Sequence, residues 1–465
     1  MGFLEKIYHV SPIPIQVLML NIKAAELYLE RYGRKFDKVW DEFKQIESSA
    51  SSDITTYQTE RMQQLIRHAY ETVPYYRDLF VEHKLEPADI KTLTDLAKIP
   101  VLTKQTIKDN FNRLVSSSAN QRKLRHGHTS GTTGSPLNLL YDIQTCVVHH
   151  VADWRQKEWA GLKRGEAYAS LQGRVICPSN QQEPPFWRKN YVNNQLFLSS
   201  FHLKKECLPH YFDELSRRNI KFIEGYPSTI YTLASYLKST GQSFPMSAVL
   251  TSSETLFEFQ RETIEAAFQC KIFDFFGMAE RVVFATECDK HGGHHLNQDY
   301  GITEFVDPKG HAVPPGASGK IVATSLHNFA FPMIRYQTND SCSLKPETCS
   351  CGCAFPLMDD VATKDEAIVT LPDGRWISPS VLTHPFKPME NVTESQIIQE
   401  DLLYIRILVV KNEKYGNADE AQLLQSFRDR LGEEIEIVIE YPDTIPRTKS
   451  GKYKWVISKV KPEFG

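Results

Sequence analysis

Polar and apolar positions follow three regimes along the chain. From 15 to 48 and from 57 to 83, apolar residues recur at helical spacing with few breakers, which predicts two helical stretches. Tyr75, Tyr76 and Phe80 give the second stretch an aromatic face suited to a core. From 165 to 380, short apolar runs alternate with amphipathic stretches. The runs Ala167–Leu171, Ile220–Glu224, Ala248–Thr251, Ile272–Phe276 and Gly319–Thr324 read as strands. Phe212–Arg218, Ser228–Ser239 and Leu256–Cys270 read as helices. Such alternation predicts an α/β architecture with largely buried strands. After about 365 the pattern changes. Ser395–Gln399, Tyr404–Lys411 and Ile435–Ile439 read as strands, and Ala418–Leu431 as a helix between two of them. This predicts a small α+β unit joined to the rest near Asp359–Glu366. The expected division is 1–364, with 1–56 a helical extension, and 365–465. No internal repeat is visible.

Length and composition narrow the class. A chain of 465 residues suggests two or three domains. Its 41% hydrophobic and 24% charged residues are ordinary for a globular protein. A net charge of -3 gives no electrostatic case for nucleic acid or an anionic membrane. Met1 to Tyr28 has no apolar run of the ~20 residues a transmembrane helix needs, and no signal-peptide pattern. The expected location is cytoplasmic, where nine cysteines are thiols or metal ligands rather than disulfides.

Four segments carry candidate chemistry. His128–Pro136 holds Thr129, Ser130, Thr132, Thr133 and Ser135 around Gly131 and Gly134. Glycines let backbone N–H groups approach a ligand and hydroxyls add donors, which suits the phosphates of ATP. The lysine of the common P-loop is absent. The second segment, Phe275–Glu280, sets aromatic rings and Gly277 at a strand end, with a carboxylate able to hold Mg²⁺. In the third, Ile334–Asp340, an aspartate closes a strand-like run and could accept bonds from ribose hydroxyls. The fourth, Ile445–Lys452, reads as a hairpin tip with a mobile lysine. Alone, each is equally a linker, a core turn or a surface loop.

Together and in this order, the segments resemble the adenylate-forming enzymes, the acyl-CoA synthetase and adenylation-domain superfamily, over roughly 60–460. The specific parts are TSGTTGSP at 129–136 and PRTKSGK at 446–452. Val73–Arg77, Ile99–Lys104, Gly225–Ser228, Thr251–Glu254 and Leu371–Arg375 point to the phenylacetate–CoA ligase branch, and within it to CapK-like proteins of capsular polysaccharide gene clusters. The resemblance implies a large N-terminal domain of layered sheets and helices and a small mobile C-terminal α+β domain. It implies that Thr129, Ser130, Gly131, Thr132, Thr133 and Gly134 cradle phosphates. Ser252, Ser253 and Glu254 would line the adenine pocket. Phe276, where the family usually has tyrosine, would stack on adenine beside Gly277. Glu280 would bind Mg²⁺, Asp340 the ribose, and Lys452 would act at the carboxylate and α-phosphate. Ala279 stands where the family has threonine or serine. Gln337 and Asn339 replace arginine and glycine, and Ala362–Thr363 replaces a Gly-Arg before the hinge.

Cysteines form a second constellation. Cys349, Cys351 and Cys353 follow Asp340, with Cys288, His291, His294 and His295 upstream. Thiolates and imidazole suit Zn²⁺, and four closed ligands make a structural site. Some relatives carry such a site, and the resemblance implies Cys288, His295, Cys349 and Cys351 as ligands. The other reading is reduced thiols in a loop. Cys146, Cys177, Cys207, Cys270 and Cys342 read as small core residues. His149–His150 with Asp153–Trp154 reads as a packed helix face. Trp187 and Tyr226 are candidates for substrate contact.

The resemblance implies ATP-dependent activation of a carboxylic acid, with Mg²⁺, structural Zn²⁺ and coenzyme A as co-substrate. An amine of a sugar or amino acid is the alternative acceptor, and a catalytically silent nucleotide-binding scaffold is the alternative of another class. Family members are often dimers, which makes a homodimer an expectation. Nucleic acid and membrane insertion are not expected.

Overall fold

The computed structural model describes residues 3–129, 137–178, 180–361, 369–373, 376–377, 379–386, 388–389, 391–445 and 455–460. Two of the expected helical stretches are divided. Gly33, at φ +85°, separates Ile13–Arg31 from Arg34–Glu47, a backbone region that glycine enters without a Cβ penalty. Pro74 opens Pro74–Glu82 as a first-turn residue and ends Ser51–Thr72 just before it. The first 56 residues are not an appendage, because Phe36, Val39 and Phe43 are buried in a core shared with Val147, Val151 and Phe284.

A nine-stranded sheet organises the large part of the chain. Its order is Leu357–Met358, His294–Leu296, Phe284–Glu287, Ile272–Gly277, Ala248–Ser252, Phe222–Gly225, Tyr168–Leu171, Gln195–Leu198 and Trp187–Asn190. The five strands from Ile272–Gly277 to Gln195–Leu198 run parallel, and the flanking strands are antiparallel. Helices Leu208–Arg217, Pro227–Ser239 and Glu258–Phe268 cover one face through Tyr211, Ile230, Leu233 and Phe268. Helices Arg34–Glu47 and Ile143–Trp159 cover the other. Asp142 caps the second of these by accepting the Thr145 N–H at 2.7 Å. Burial on both faces explains why the parallel strands are nearly continuous apolar runs.

An antiparallel sheet of Gly301–Val306, Ser318–Ser325 and Tyr336–Ser343 packs with Ser51–Thr72 and Pro74–Glu82 around a second core. The four-stranded terminal sheet orders Glu436–Glu440, Tyr404–Lys411, Val392–Gln399 and Val456–Ser458. Helix Asn417–Leu431 closes a separate core there, with Ile397, Ile407, Leu423, Phe427 and Trp455 buried. Among the described residues, no helix is long and apolar enough to cross a membrane.

Candidate active site and metal centre

The parallel strands all end on one edge of the large sheet, the place where open α/β sheets hold ligands. The loops leaving that edge begin at Gln172, Tyr226, Ser253 and Met278. Gly225 closes its strand with no room for a side chain, because a Cβ there would lie 2.8 Å from the Leu171 carbonyl oxygen. Tyr226 follows it, and its hydroxyl lies 3.5 Å from His384 Nε2 of the terminal unit. Ser253 adopts φ +69°. Glu254 accepts the backbone N–H of Ser228 at 3.1 Å, which ties this loop to the start of helix Pro227–Ser239.

Phe276 and Gly277 end the strand Ile272–Gly277, and Glu280 lies in the turn beyond. Burial raises the Glu280 carboxyl above its ordinary value, opposed by hydrogen bonding, including Tyr336, and by the Lys104 cation. The Tyr336 hydroxyl donates to Glu280 Oε1 at 3.0 Å. Burial, with the Lys108 cation beside it, brings the Lys104 ammonium down to about 8, while Glu280 works in the opposite direction. Ala279 is exposed, and its carbonyl accepts the Tyr141 hydroxyl.

Asp340 was expected to close a strand. It lies inside Tyr336–Ser343 instead, half-buried, four positions beyond Tyr336. The preceding Arg335 is fully engaged in structure. It pairs with Glu304 at 3.0 Å and donates to the Ile99 carbonyl at 2.8 Å, which holds the Ile99–Lys104 segment against this strand. The strand thereby carries both Asp340 and the phenol that orients Glu280.

Cys288, His295, Cys349 and Cys351 converge, with their ligand atoms all within 4.8 Å of one another. Cys288 Sγ lies 3.6 Å from Cys349 Sγ, and Cys351 Sγ lies 3.4 Å from His295 Nε2. A tetrahedron with Zn–S of ~2.3 Å and Zn–N of ~2.0 Å has edges near 3.5–3.8 Å, so the donor set fits zinc. His295 Nδ1 donates to the Phe355 carbonyl at 2.8 Å, which leaves Nε2 bare toward the sulfurs. Backbone N–H groups of Lys290 and Cys353 approach the sulfurs of Cys288 and Cys351 at 3.4 Å. The Cys353 thiol is not in the cluster. His294, next to His295 in sequence, ion-pairs with Asp274 at 3.1 Å and Asp360 at 3.2 Å. Burial opposes its charge, but the two carboxylates prevail and push its pKa up to about 10.

Other expected site residues fall elsewhere. Trp187 lies on the far edge strand, five strands from Ile272–Gly277, or about 24 Å at ~4.8 Å per strand. Its ring packs on Tyr211, so it does not join the residues around Glu280. Ser130, Gly131, Thr132, Thr133, Gly134, Ala362, Thr363 and Lys452 lie outside the described residues. Thr129, the last residue before the loop, is buried and accepts the Leu137 N–H through its hydroxyl at 2.9 Å, so the two ends of the loop are joined. Tyr336 and Lys104 act on Glu280, and motif reading passed over both. They stand in the quoted segments Ile334–Asp340 and Ile99–Lys104, which was their signal.

Comparison with known proteins places the fold among acyl-CoA ligases. The CapK C-terminal domain family matches residues 369–459. Protein CapK of Staphylococcus aureus is 26% identical over 481 aligned positions, covering 98% of this chain and 100% of that protein. The phenylacetate-coenzyme A ligase of Thermus thermophilus is 22% identical, covering 89% of this chain and 98% of the relative. Among solved structures, 2-hydroxyisobutyryl-CoA ligase with 2-HIB-AMP and CoA superposes with a TM-score of 0.58 at 20% identity, covering 89% of this chain and 91% of that one. The fold is that of the acyl-CoA ligases it superposes on, and the relatives in sequence are CapK and phenylacetate-coenzyme A ligases. Together they are consistent with an adenylate-forming protein of the phenylacetate–CoA ligase-like branch.

Proposed function

We propose that this protein is an AMP-forming ligase that activates a carboxylic acid with ATP and passes the acyl group to coenzyme A. One observation carries the reading. Tyr336 bonds Glu280 from the strand that holds Asp340, so the carboxylates assigned to metal and ribose share one wall. The likeness to phenylacetate-coenzyme A ligases supports the acceptor.

In this reading the loop Thr129–Gly134 cradles the phosphates. Ser252, Ser253, Glu254, Phe276 and Gly277 line the base, and Asp340 accepts the ribose hydroxyls. Glu280 fits a Mg²⁺ ligand, since one carboxylate oxygen is oriented by Tyr336. When bound, that ion offsets phosphate charge. A carboxylate oxygen of the acid attacks the α-phosphorus, the bond to the bridging oxygen breaks, and pyrophosphate leaves. The thiol sulfur then attacks the acyl carbon, its proton is lost, and AMP departs. Both reactants of the first step are anions, so a cation delivered late is effective, and Lys452 is assigned that part. Cys288, His295, Cys349 and Cys351 would hold a structural Zn²⁺ outside the chemistry.

ATP–pyrophosphate exchange across a panel of acids tests the reading. Lys452→Ala should lower exchange by on the order of 10²–10³ while ATP binding persists. Wild-type exchange in Lys452→Ala would remove that assignment. Absence of exchange with every acid of the panel would leave a silent nucleotide-binding scaffold. A second acceptor, an amine of a sugar or amino acid, is favoured by the match of 369–459 to the CapK C-terminal domain. Mass analysis of product formed with coenzyme A against amines decides between the two.

A further inference from the structure

Two arginines from separate elements meet helix Ile143–Trp159 beside the turn that carries Glu280, and the charge of a third, Arg174, reaches them. Arg281 is the next residue after Glu280. Its Nη1 lies 3.2 Å from Cys146 Sγ, and its guanidinium stacks 3.9 Å over the Tyr141 ring. Arg31, at the end of helix Ile13–Arg31, sets Nη1 2.8 Å from His150 Nε2. Cys146 and His150 lie one turn apart on helix Ile143–Trp159. Arg174, exposed just beyond the strand Tyr168–Leu171 and 6.0 Å over the Phe197 ring, adds positive charge felt by Arg31 and His150.

The charges of this group are poorly offset. Among the described residues, Arg31, Arg174 and Arg281 form no salt bridge. The nearby carboxylates are already engaged. Glu30 bonds Arg125, and Asp153 and Glu224 pair with Lys157 at 2.9 Å each. His149, bonded to the Tyr300 hydroxyl at 3.1 Å, and His150 are both held neutral by burial and by the arginines, so neither is a counter-charge nor a further cation. Arg31 Nε is buried and has no hydrogen-bond acceptor among the described residues. Arg31 and Arg281 are half-buried, and guanidinium groups so placed without a carboxylate call for an anion from outside the chain.

The geometry points to a pocket formed by Arg31, Arg174 and Arg281 that takes an anionic group at the far end of the acid substrate, so that the preferred acid is a dianion such as a dicarboxylate. This rests on the acid-activation reading, which places the reacting carboxylate near Glu280. The same guanidinium groups could instead hold a phosphate of the nucleotide. The two sources are separated by which ligand suffers when an arginine is removed.

Matched pairs test it: glutarate against pentanoate, and terephthalate against 4-methylbenzoate, by isothermal titration and by ATP–pyrophosphate exchange with wild type, Arg281→Gln and Arg31→Gln. The dianion of at least one pair should bind at least about 10-fold better than its monoanion. Each variant should lose about 10-fold or more of that preference with the KM for ATP unchanged. Two variants on different elements guard against a misfolded one, and circular dichroism identifies it. Dianions that bind no better than monoanions overturn the proposal. So does a loss in the variants that falls on ATP or inorganic pyrophosphate, which would assign the arginines to the nucleotide. If dianions bind in an arginine-dependent way but no acid supports exchange, the pocket stands and the ligase reading fails. Exchange with monoanions alone does the reverse.

Discussion

Cys351→Ser is the most direct probe of the metal centre. Cys351 and His295 are 56 positions apart, as adjacent vertices of one cluster. A metal that ties them closes a loop of that length. By the chain-entropy relation used for cross-links, such closure is worth about 4 kcal/mol at 25 °C. Serine keeps the volume but supplies a hard, weakly acidic oxygen in place of a thiolate, so most of that stabilisation should vanish. In a unit of this size about 4 kcal/mol corresponds to a fall in Tm of roughly 5 °C. Elemental analysis of protein purified without chelators should give one zinc per wild-type chain and much less in the variant, and calorimetry should give the Tm. Cys353→Ser should change neither, because its thiol is outside the cluster. Wild-type protein without stoichiometric zinc would refute the reasoning. Equal metal content and Tm in Cys351→Ser and wild type would refute it as well.

Asp340→Ala should weaken ATP binding by about 10-fold or more and spare the acid, since a carboxylate on two hydroxyls makes charge-assisted bonds; an equal loss for inorganic triphosphate, which lacks ribose, would contradict the role. Lys104 has a folded pKa of about 8 against about 10.4 unfolded, so between those values the unfolded chain binds the additional proton and stability rises with pH. Urea titrations from pH 8 to 10 should show that rise in wild type and a smaller one in Lys104→Met; identical slopes would exclude it. Asp299→Leu should destabilise by about 3 kcal/mol, because Arg155 would remain buried with only Glu47 opposite it. Replacing both members, Arg155→Met with Asp299→Leu, should cost less in the same chemical denaturation assay.

Strands with long buried runs were legible from sequence. Ile272–Gly277 and Tyr404–Lys411 stand within a residue of their expected limits because β-branched and aromatic residues bury on both faces. His294–Leu296 and Leu357–Met358 were not legible, since two or three residues carry no period. The helix breaks were written in Gly33 and Pro74, but amphipathic spacing continued across both and concealed them. The candidate site was legible only where one motif holds several members. The four candidate zinc ligands could be named by resemblance, but their convergence depends on the pairing of His294–Leu296 with Leu357–Met358. The Tyr336–Glu280 bond spans 56 positions and the Arg31–His150 contact 119, separations that no local pattern encodes.

The turn after Ile272–Gly277 shows how one short segment serves two kinds of chemistry. Glu280 and Arg281 are neighbours, yet Glu280 meets Tyr336 and the Lys104 charge, while Arg281 meets Cys146 and Tyr141. Arg281 achieves this in the left-handed region at φ +56°. For a residue with a Cβ that conformation costs roughly 1–2 kcal/mol, so something must hold it. The Arg281 N–H returns to the Met278 carbonyl at 3.1 Å, and the Tyr141 hydroxyl fixes the Ala279 carbonyl. Tyr141 thus anchors the turn with its oxygen and seats the guanidinium with its ring. The turn separates a carboxylate suited to a cation from a guanidinium suited to an anion. A carboxylic acid that reaches from one to the other would have its reacting end beside Glu280 and its far end among the arginines, which is the arrangement a dianionic substrate requires.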